Sequence, residues 1–439
     1  MPGRSTWFVG DAEPSDEELE RAKLCLLDWL GCAIAGMPAA LELLDGTGIG
    51  AEPAGRALVH GVAGHLLDYD DTLPGALTHP SAVLWPSLLA IGFGGGDLLR
   101  GFLHGVEAQD LWGREHANAI ADHFGHPTAA LGAVAAALAI GRIMGSSESR
   151  IWQSVRMAGA VASGSQSVFG TAGKSIQVGY AARSAVETSL LGWGDPPALG
   201  DEGDPLLVRG GLVDRMTRAG ARGRGIGAEA APRNQPLAGE HPVHRIVHKF
   251  HASCYATHGA LDAFRDLGIP RERISSASVT IGDDFPAVAT APLTADGLGA
   301  KFSMKACLAL AASGYDTADP AVFESGPLSD PRVREFGSRI ACSTDTAIPS
   351  GGGAVALQLA DGGIVSAYAD PSSVEFAPGE RRSRVEAKFR RLVDPVVGAG
   401  AAGRISIGVL ERFAHAGTDE ISLLLEEGGL LLRTPERRR

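Results

Sequence analysis

The sequence predicts a mainly α-helical chain with a smaller mixed α/β stretch in its C-terminal half. Three observations carry this. From Ser15 to about Gly164, apolar residues recur at helical spacing between glycine stops. After His248–Ala263 the text changes: Ala277–Gly282 (ASVTIG) is strand-like, and Val355–Leu359 and Ile364–Tyr368 alternate around Asp361-Gly362-Gly363, a hairpin signal. From Arg384 onward the text is helical again.

The chain has 439 residues, enough for two domains with a sizeable core. Its 45% hydrophobic and 21% charged content is that of a soluble globular protein. A net charge of -12 argues against nucleic acid as a partner, so an anionic substrate would need a local basic pocket. Five cysteines (Cys25, Cys32, Cys254, Cys307, Cys342) without a C-x-x-C pair read as reduced thiols in the cytoplasm. The polar, acidic N-terminus does not read as a signal peptide. The most apolar run, Ala129–Met144, is short for a membrane span and contains Arg142, so it reads as a buried core helix and no membrane partner is expected.

Taken in order, Ser15 caps a helix with acidic residues in its first turn, running to about Ala35 with Gly36 as its stop and Pro38 beyond. Gly64–Ser81 (GHLLDYDDTLPGALTHPS) then packs two histidines, three aspartates and two threonines into one run. If the helix continues to Pro74-Gly75, His65, Asp68 and Thr72 share a face and Asp70 and Asp71 fall elsewhere. The same letters also suit ordinary end-of-helix and turn chemistry. Ala82–Phe93 is a further helix, ended by Gly94-Gly95-Gly96. Asp97 starts the next, and His126-Pro127 opens the small-residue helix. A helix N-terminus there suits a carboxylate ligand. His116 and His123 read as structural. Ile151–Gly164 is helical. Lys174, the only lysine between Lys23 and Lys249, lies in Gly-rich, apolar text where a charge needs a partner. Residues 202–242 read as a Gly/Arg-rich surface loop, and Gly299–Gly314 as a helix.

Several of these stretches resemble the MmgE/PrpD family in its own order: GHLLDYDDT with THPS, HFGHPTAALG, GTAGKSIQVGYAA, HKFHASCYATHGALDA and AKFSMKACLALAA, over most of the chain from Ala22 to about Phe389. The resemblance implies a large all-α domain (1–245, completed by 386–439) and an inserted smaller α+β lid domain (246–385). It also implies a homodimer, and chemistry on small di- or tricarboxylic acids with no cofactor and no metal. On the matching positions, His79, His126, Lys249 and Asp68 would be catalytic, and Thr72, Lys174, Gln177 and Ser253 would bind substrate. Two positions depart from the pattern: Gln177 stands where a histidine is common, and Ala306 where several members carry a tyrosine.

The chemistry of these residue types is coherent. Forming charge next to a carboxylate needs fixed cations, for which Lys174 and Lys249 serve, and a group that titrates near neutrality, for which His79 and His126 serve. Asp68 could orient an imidazole, and Thr72 could hydrogen-bond a carboxylate. A lyase, either dehydratase or decarboxylase, is the leading expectation. An epimerase exchanging an α-proton is the first alternative. A metal-dependent hydrolase on His65, Asp68, His79 and His126, or a non-catalytic binding protein, are the others.

Overall fold

A computed structural model describes residues 13–123, 125–191, 240–283, 285–293 and 297–432. The Gly/Arg-rich stretch expected to be a loop lies almost wholly outside the described residues. Among the described residues seven long helices make the N-terminal body: α1 (Asp16–Leu44), α2 (Pro53–His65), α3 (Pro80–Ile91), α4 (Gly95–Asp122), α5 (Pro127–Ile143), α6 (Glu148–Val161) and α7 (Gly173–Leu190). Ser15 caps α1 in a reciprocal box with Glu18.

Helix α1 does not stop at Gly36. It runs through Pro38 to Leu44, and the glycine serves a contact instead: a Cβ there would lie 2.2 Å from the Ala63 carbonyl oxygen on α2. Helix α1 is long and apolar enough to cross a membrane by length and composition; here it packs on α2 and on the late helix Glu380–Val397. Helix α5, expected to be buried, is inside along nearly its whole length, packed on α3, α4, α6 and α7. Its alanines and glycines let these neighbours come close.

The α2–α7 contact positions the site. A Cβ on Gly61 would lie 2.9 Å from the Gly179 Cα, and one on Gly179 would lie 2.6 Å from the Leu58 carbonyl oxygen. Only two glycines allow this approach, which brings the start of α7, with Lys174, to the end of α2.

The α/β portion is a four-stranded sheet of order β2-β1-β3-β4, with β1 (Ile274–Ile281), β2 (Ile340–Thr344), β3 (Gly353–Leu359) and β4 (Ile364–Ala369). β1 pairs parallel with β2 (Ala277 opposite Ile340) and antiparallel with β3 (Val279 opposite Val355); β3 and β4 form the expected hairpin. β3 alternates buried and half-buried residues, and the edge strand β4 alternates exposed and half-buried ones. Helix His258–Leu267 packs across β3 and β4. The helix expected over Gly299–Gly314 is two pieces, Gly297–Lys301 and Met304–Ala312, because the Ser303 hydroxyl caps the second on the Ala306 N–H. All five cysteines are free thiols.

Candidate active site

A turn of left-handed backbone organises the site. Helix α2 ends at His65, and the Asp68 N–H closes onto the His65 carbonyl at 3.0 Å. Asp68 then adopts φ +48°, a conformation aspartate enters more readily than most side chains. The helix therefore stops well before Pro74, which opens a short 3-10 turn. His65, Asp68 and Thr72 do not share a helix face, contrary to the periodicity argument.

Three lysines from distant segments hold this turn by consecutive carbonyls. Lys301 donates to Leu67 at 2.6 Å, Lys249 to Asp68 at 2.5 Å and Lys388 to Tyr69 at 2.6 Å. Lys388 also pairs with Asp28 at 2.7 Å. The Asp68 side chain is a separate anchor: Lys174 ion-pairs with Oδ1, and the Lys249 ammonium lies 3.6 Å from Oδ2. Burial works to raise the Asp68 pKa, but Lys174 and then Lys249 overcome it and hold the carboxyl well below its ordinary range. A two-way backbone bridge between Thr72 and Val247, at 2.8 and 2.9 Å, fixes the segment carrying Lys249 alongside.

His79 and His126 occupy equivalent places. Each is the N-cap residue before a proline that opens a helix, with φ/ψ of −111°/88° and −106°/99°, and neither imidazole caps its own helix; at the start of α3 the Ser81 N–H donates instead to Asp71 Oδ1 at 3.2 Å. The His79 backbone N–H donates to Thr128 Oγ1 at 3.2 Å, tying the two starts together. His79 Nδ1 meets the Asp71 carbonyl at 2.9 Å and Asp70 Oδ2 at 3.4 Å. Both partners only accept, which assigns the proton to Nδ1 and a lone pair to Nε2. At His126, Nδ1 meets Gln177 Oε1 at 3.0 Å, an oxygen that also accepts from the Ser165 N–H at 3.1 Å, while Gln177 Nε2 donates to the Ser165 carbonyl at 3.2 Å. The amide is thereby oriented, so His126 too carries its proton on Nδ1. Its buried Nε2 has no hydrogen-bond partner.

His65 completes the cluster. Its Nδ1 donates to Asp70 at 2.9 Å and its ring centroid lies 4.8 Å from that of His79. Burial lowers the pKa of all three histidines. For His79 and His126 the Lys174 charge adds to it and both are pushed well down; for His65, Asp70 opposes it without prevailing. The three imidazoles are thus neutral near neutral pH.

Thr72, His79, His126 and Lys174 line one side of a cavity of about 470 Å³. The Thr72 hydroxyl donates to the Thr78 carbonyl at 3.0 Å, leaving its oxygen to accept. Asp68 and Lys249 stand behind Lys174 and do not line the cavity. Nor do Gln177 and Ser253, expected to touch substrate: Gln177 acts through His126, and the fully buried Ser253 bonds Thr257 at 2.8 Å. Ala306 is also fully buried, away from the lining. Sequence reasoning passed over Asp70, whose carboxylate meets both His65 and His79, and Lys301 and Lys388. The lysines left no signal of their own, since Lys305 follows Lys301 by four residues and Arg384, Arg390 and Arg391 flank Lys388. Asp70 left none while the helix was taken to continue.

The one group with metal-ligand spacing among the described residues is His65, Asp68 and His79, whose donor atoms lie within 4.8 Å of one another. It fits a cation poorly. The Asp68 carboxylate is engaged by two ammonium groups, which would repel a divalent ion brought to the same oxygens.

Comparison with known proteins follows the same lines. Residues 42–194 match the MmgE/PrpD N-terminal domain and residues 251–411 the MmgE/PrpD C-terminal domain, together well over half the chain. Cis-aconitate decarboxylase of Homo sapiens is 28% identical over 204 residues, covering 40% of this chain and 42% of that protein. The Mus musculus cis-aconitate decarboxylase is 32% identical over 149 residues, 32% of this chain and 30% of that protein. The chain spans less than half the length of these curated relatives.

Proposed function

This chain belongs to the MmgE/PrpD family, and from that premise we propose that it is a cofactor-independent lyase, a dehydratase or decarboxylase, acting on a small carboxylic acid. The observation that carries the reading is the pair of neutral imidazoles, each presenting a proton-free Nε2 beside a lysine in one cavity.

The two histidines divide the work by their partners. His79 has the Asp70 carboxylate near Nδ1, so the imidazolium it forms on taking a proton is stabilised. His126 has only a neutral amide, so it stays neutral and holds the substrate. Lys174, with the start of α5 at Pro127 and Thr128, receives the substrate carboxylate. In a dehydration, His79 Nε2 takes the proton from the carbon next to the carboxylate, that electron pair forms the C=C bond as the C–O bond breaks, and the leaving hydroxide takes the proton back from His79 and departs as water. In a decarboxylation, His79 Nε2 first takes a proton from solvent, the C–C bond to the carboxylate breaks, CO2 leaves, and the electron pair left on carbon takes that proton, returning His79 to its neutral form. Lys174 stabilises the charge that develops in either case.

We place the protein in the cytoplasm as a homodimer, with residues 246–385 closing as a lid over the helical body. The reaction class is tested by NMR of turnover in deuterated water. A new alkene or a lost carboxylate supports the lyase; deuterium uptake with inversion and unchanged connectivity would assign the chain as an epimerase instead.

A further inference from the structure

The cavity has two unlike ends. Lys174 is the sole ammonium or guanidinium group among the described residues that line it. The other cations of the cluster are committed elsewhere: Lys249 and Lys301 donate to backbone carbonyls, and Lys388 is paired with Asp28. Around the ionic end, three lysines (Lys174, Lys249, Lys301) stand against two carboxylates (Asp68, Asp70), and the imidazoles are neutral. With Asp71, raised to about 7 by burial, partly ionised nearby, the imbalance is at most one positive charge, which one substrate carboxylate neutralises and three would overturn.

Beside the cation the lining is largely apolar. Phe169, Phe285, Phe302, Val288, Pro286 and Leu77 contribute to it, with Gln166, Tyr255 and Ser350 among them, and Phe169 is centred 6.2 Å from Phe285 and 6.1 Å from Phe302. The Lys174 ammonium lies 5.4 Å from the Phe169 ring and 5.3 Å from the Phe302 ring, so the aromatic wall begins at the cation itself. A second or third carboxylate laid along this wall would lose its water and meet no further cation, whereas an alkyl or aryl group would gain burial with each carbon.

We propose that the substrate is a carboxylic acid with one carboxylate at Lys174 and an alkyl or aryl substituent along the Phe169–Phe285–Phe302 wall, and not a tricarboxylate. This rests on the reading of the cavity as the lyase site and narrows its substrate class.

The experiment is calorimetric titration of the full chain with butyrate, hexanoate, octanoate and phenylpropionate, beside succinate and tricarballylate. Affinity should rise about threefold per added methylene until the wall is covered, and phenylpropionate should bind at least about tenfold tighter than tricarballylate. Phe285→Glu should flatten the chain-length rise, and Phe285→Leu should keep it. Tighter binding of tricarballylate, or no dependence on chain length, overturns the proposal. A chain-length rise that survives Phe285→Glu intact overturns it too, because the substituent would then lie elsewhere. The two readings fail separately. Turnover of a tricarboxylate would leave the lyase standing and remove this substrate class. Tight binding of tailed acids whose 3-hydroxy and 2-carboxy analogues are never converted would do the reverse.

Discussion

Replacing Lys174 by methionine separates the structural from the catalytic use of one buried charge. The ammonium ion-pairs with Asp68 Oδ1, and both side chains are at most 7% exposed. Removing one partner of a buried pair costs about 3–5 kcal/mol because the other charge is left behind. Here Asp68 keeps Lys249, 3.6 Å from Oδ2, so Lys174→Met should fall at the low end, about 3 kcal/mol. Asp68→Asn is worse, because it strands two ammonium groups at once, and should cost about 5 kcal/mol. The double variant strands only Lys249, still bonded to the Asp68 carbonyl at 2.5 Å. It should be more stable than Asp68→Asn alone. Activity should not follow stability, because Lys174 faces the cavity and its loss should lower kcat/KM by about a hundredfold or more in the single and the double variant alike. Urea denaturation gives the first quantity and initial rates the second. Equal stabilities for Asp68→Asn and the double variant would refute the pairing; kcat/KM within tenfold of wild type in Lys174→Met would refute the catalytic role.

Other consequences are independent of substrate. His60, buried and bonded to the Leu430 carbonyl at 2.7 Å, is lowered by burial to about 4 from 6.5. Its stabilisation is complete above pH 6.5 and is lost as pH falls through the window down to about 4, an amount of about 3 kcal/mol; in His60→Gln, denaturation midpoints should fall less steeply with pH across that window. Gly351→Ala should destabilise by several kcal/mol, on the order of 3, because its φ is +78° and a Cβ would lie 2.1 Å from the Tyr255 ring; a calorimetric melting point near wild type would count against the packing described. The exposed Met157, Val161, Tyr180, Leu190 and Leu191 rim a cavity of about 720 Å³ on α6 and α7. Light scattering should give a dimer that Tyr180→Glu weakens, and a monomeric wild type at micromolar concentration would contradict it.

Much of the site could be read from the chain because its signals are local. His79-Pro80 and His126-Pro127 announce helix starts, and a lone lysine in apolar text announces a partner, which for Lys174 is Asp68. What could not be read depends on backbone that periodicity does not encode. The left-handed turn at Asp68 ends α2 and swings Asp70 to His65 and His79, so a correct set of letters gave the wrong face. Ser253 matches the family motif and Gln177 departs from it, and both were expected to bind substrate, but whether a side chain lines a cavity or stands behind another is decided by packing between distant segments. The continuation of α1 through Pro38 has the same origin: the Gly36–Ala63 contact with α2 outweighs the local stop signal.

The central claim is that a neutral His79, with Asp70 at its Nδ1, removes the substrate proton. The pH dependence of kcat/KM tests it most directly, since that profile reports the free enzyme's base. Burial and the Lys174 charge hold the His79 pKa well below 6.5, so activity should persist below pH 6.5 and fall only further into acid. Asp70→Asn removes the one carboxylate at Nδ1 and should move that acid limb lower still while reducing the plateau. His79→Gln should abolish turnover. An acid limb at or above pH 6.5, or one that Asp70→Asn leaves in place with the plateau intact, would contradict the account.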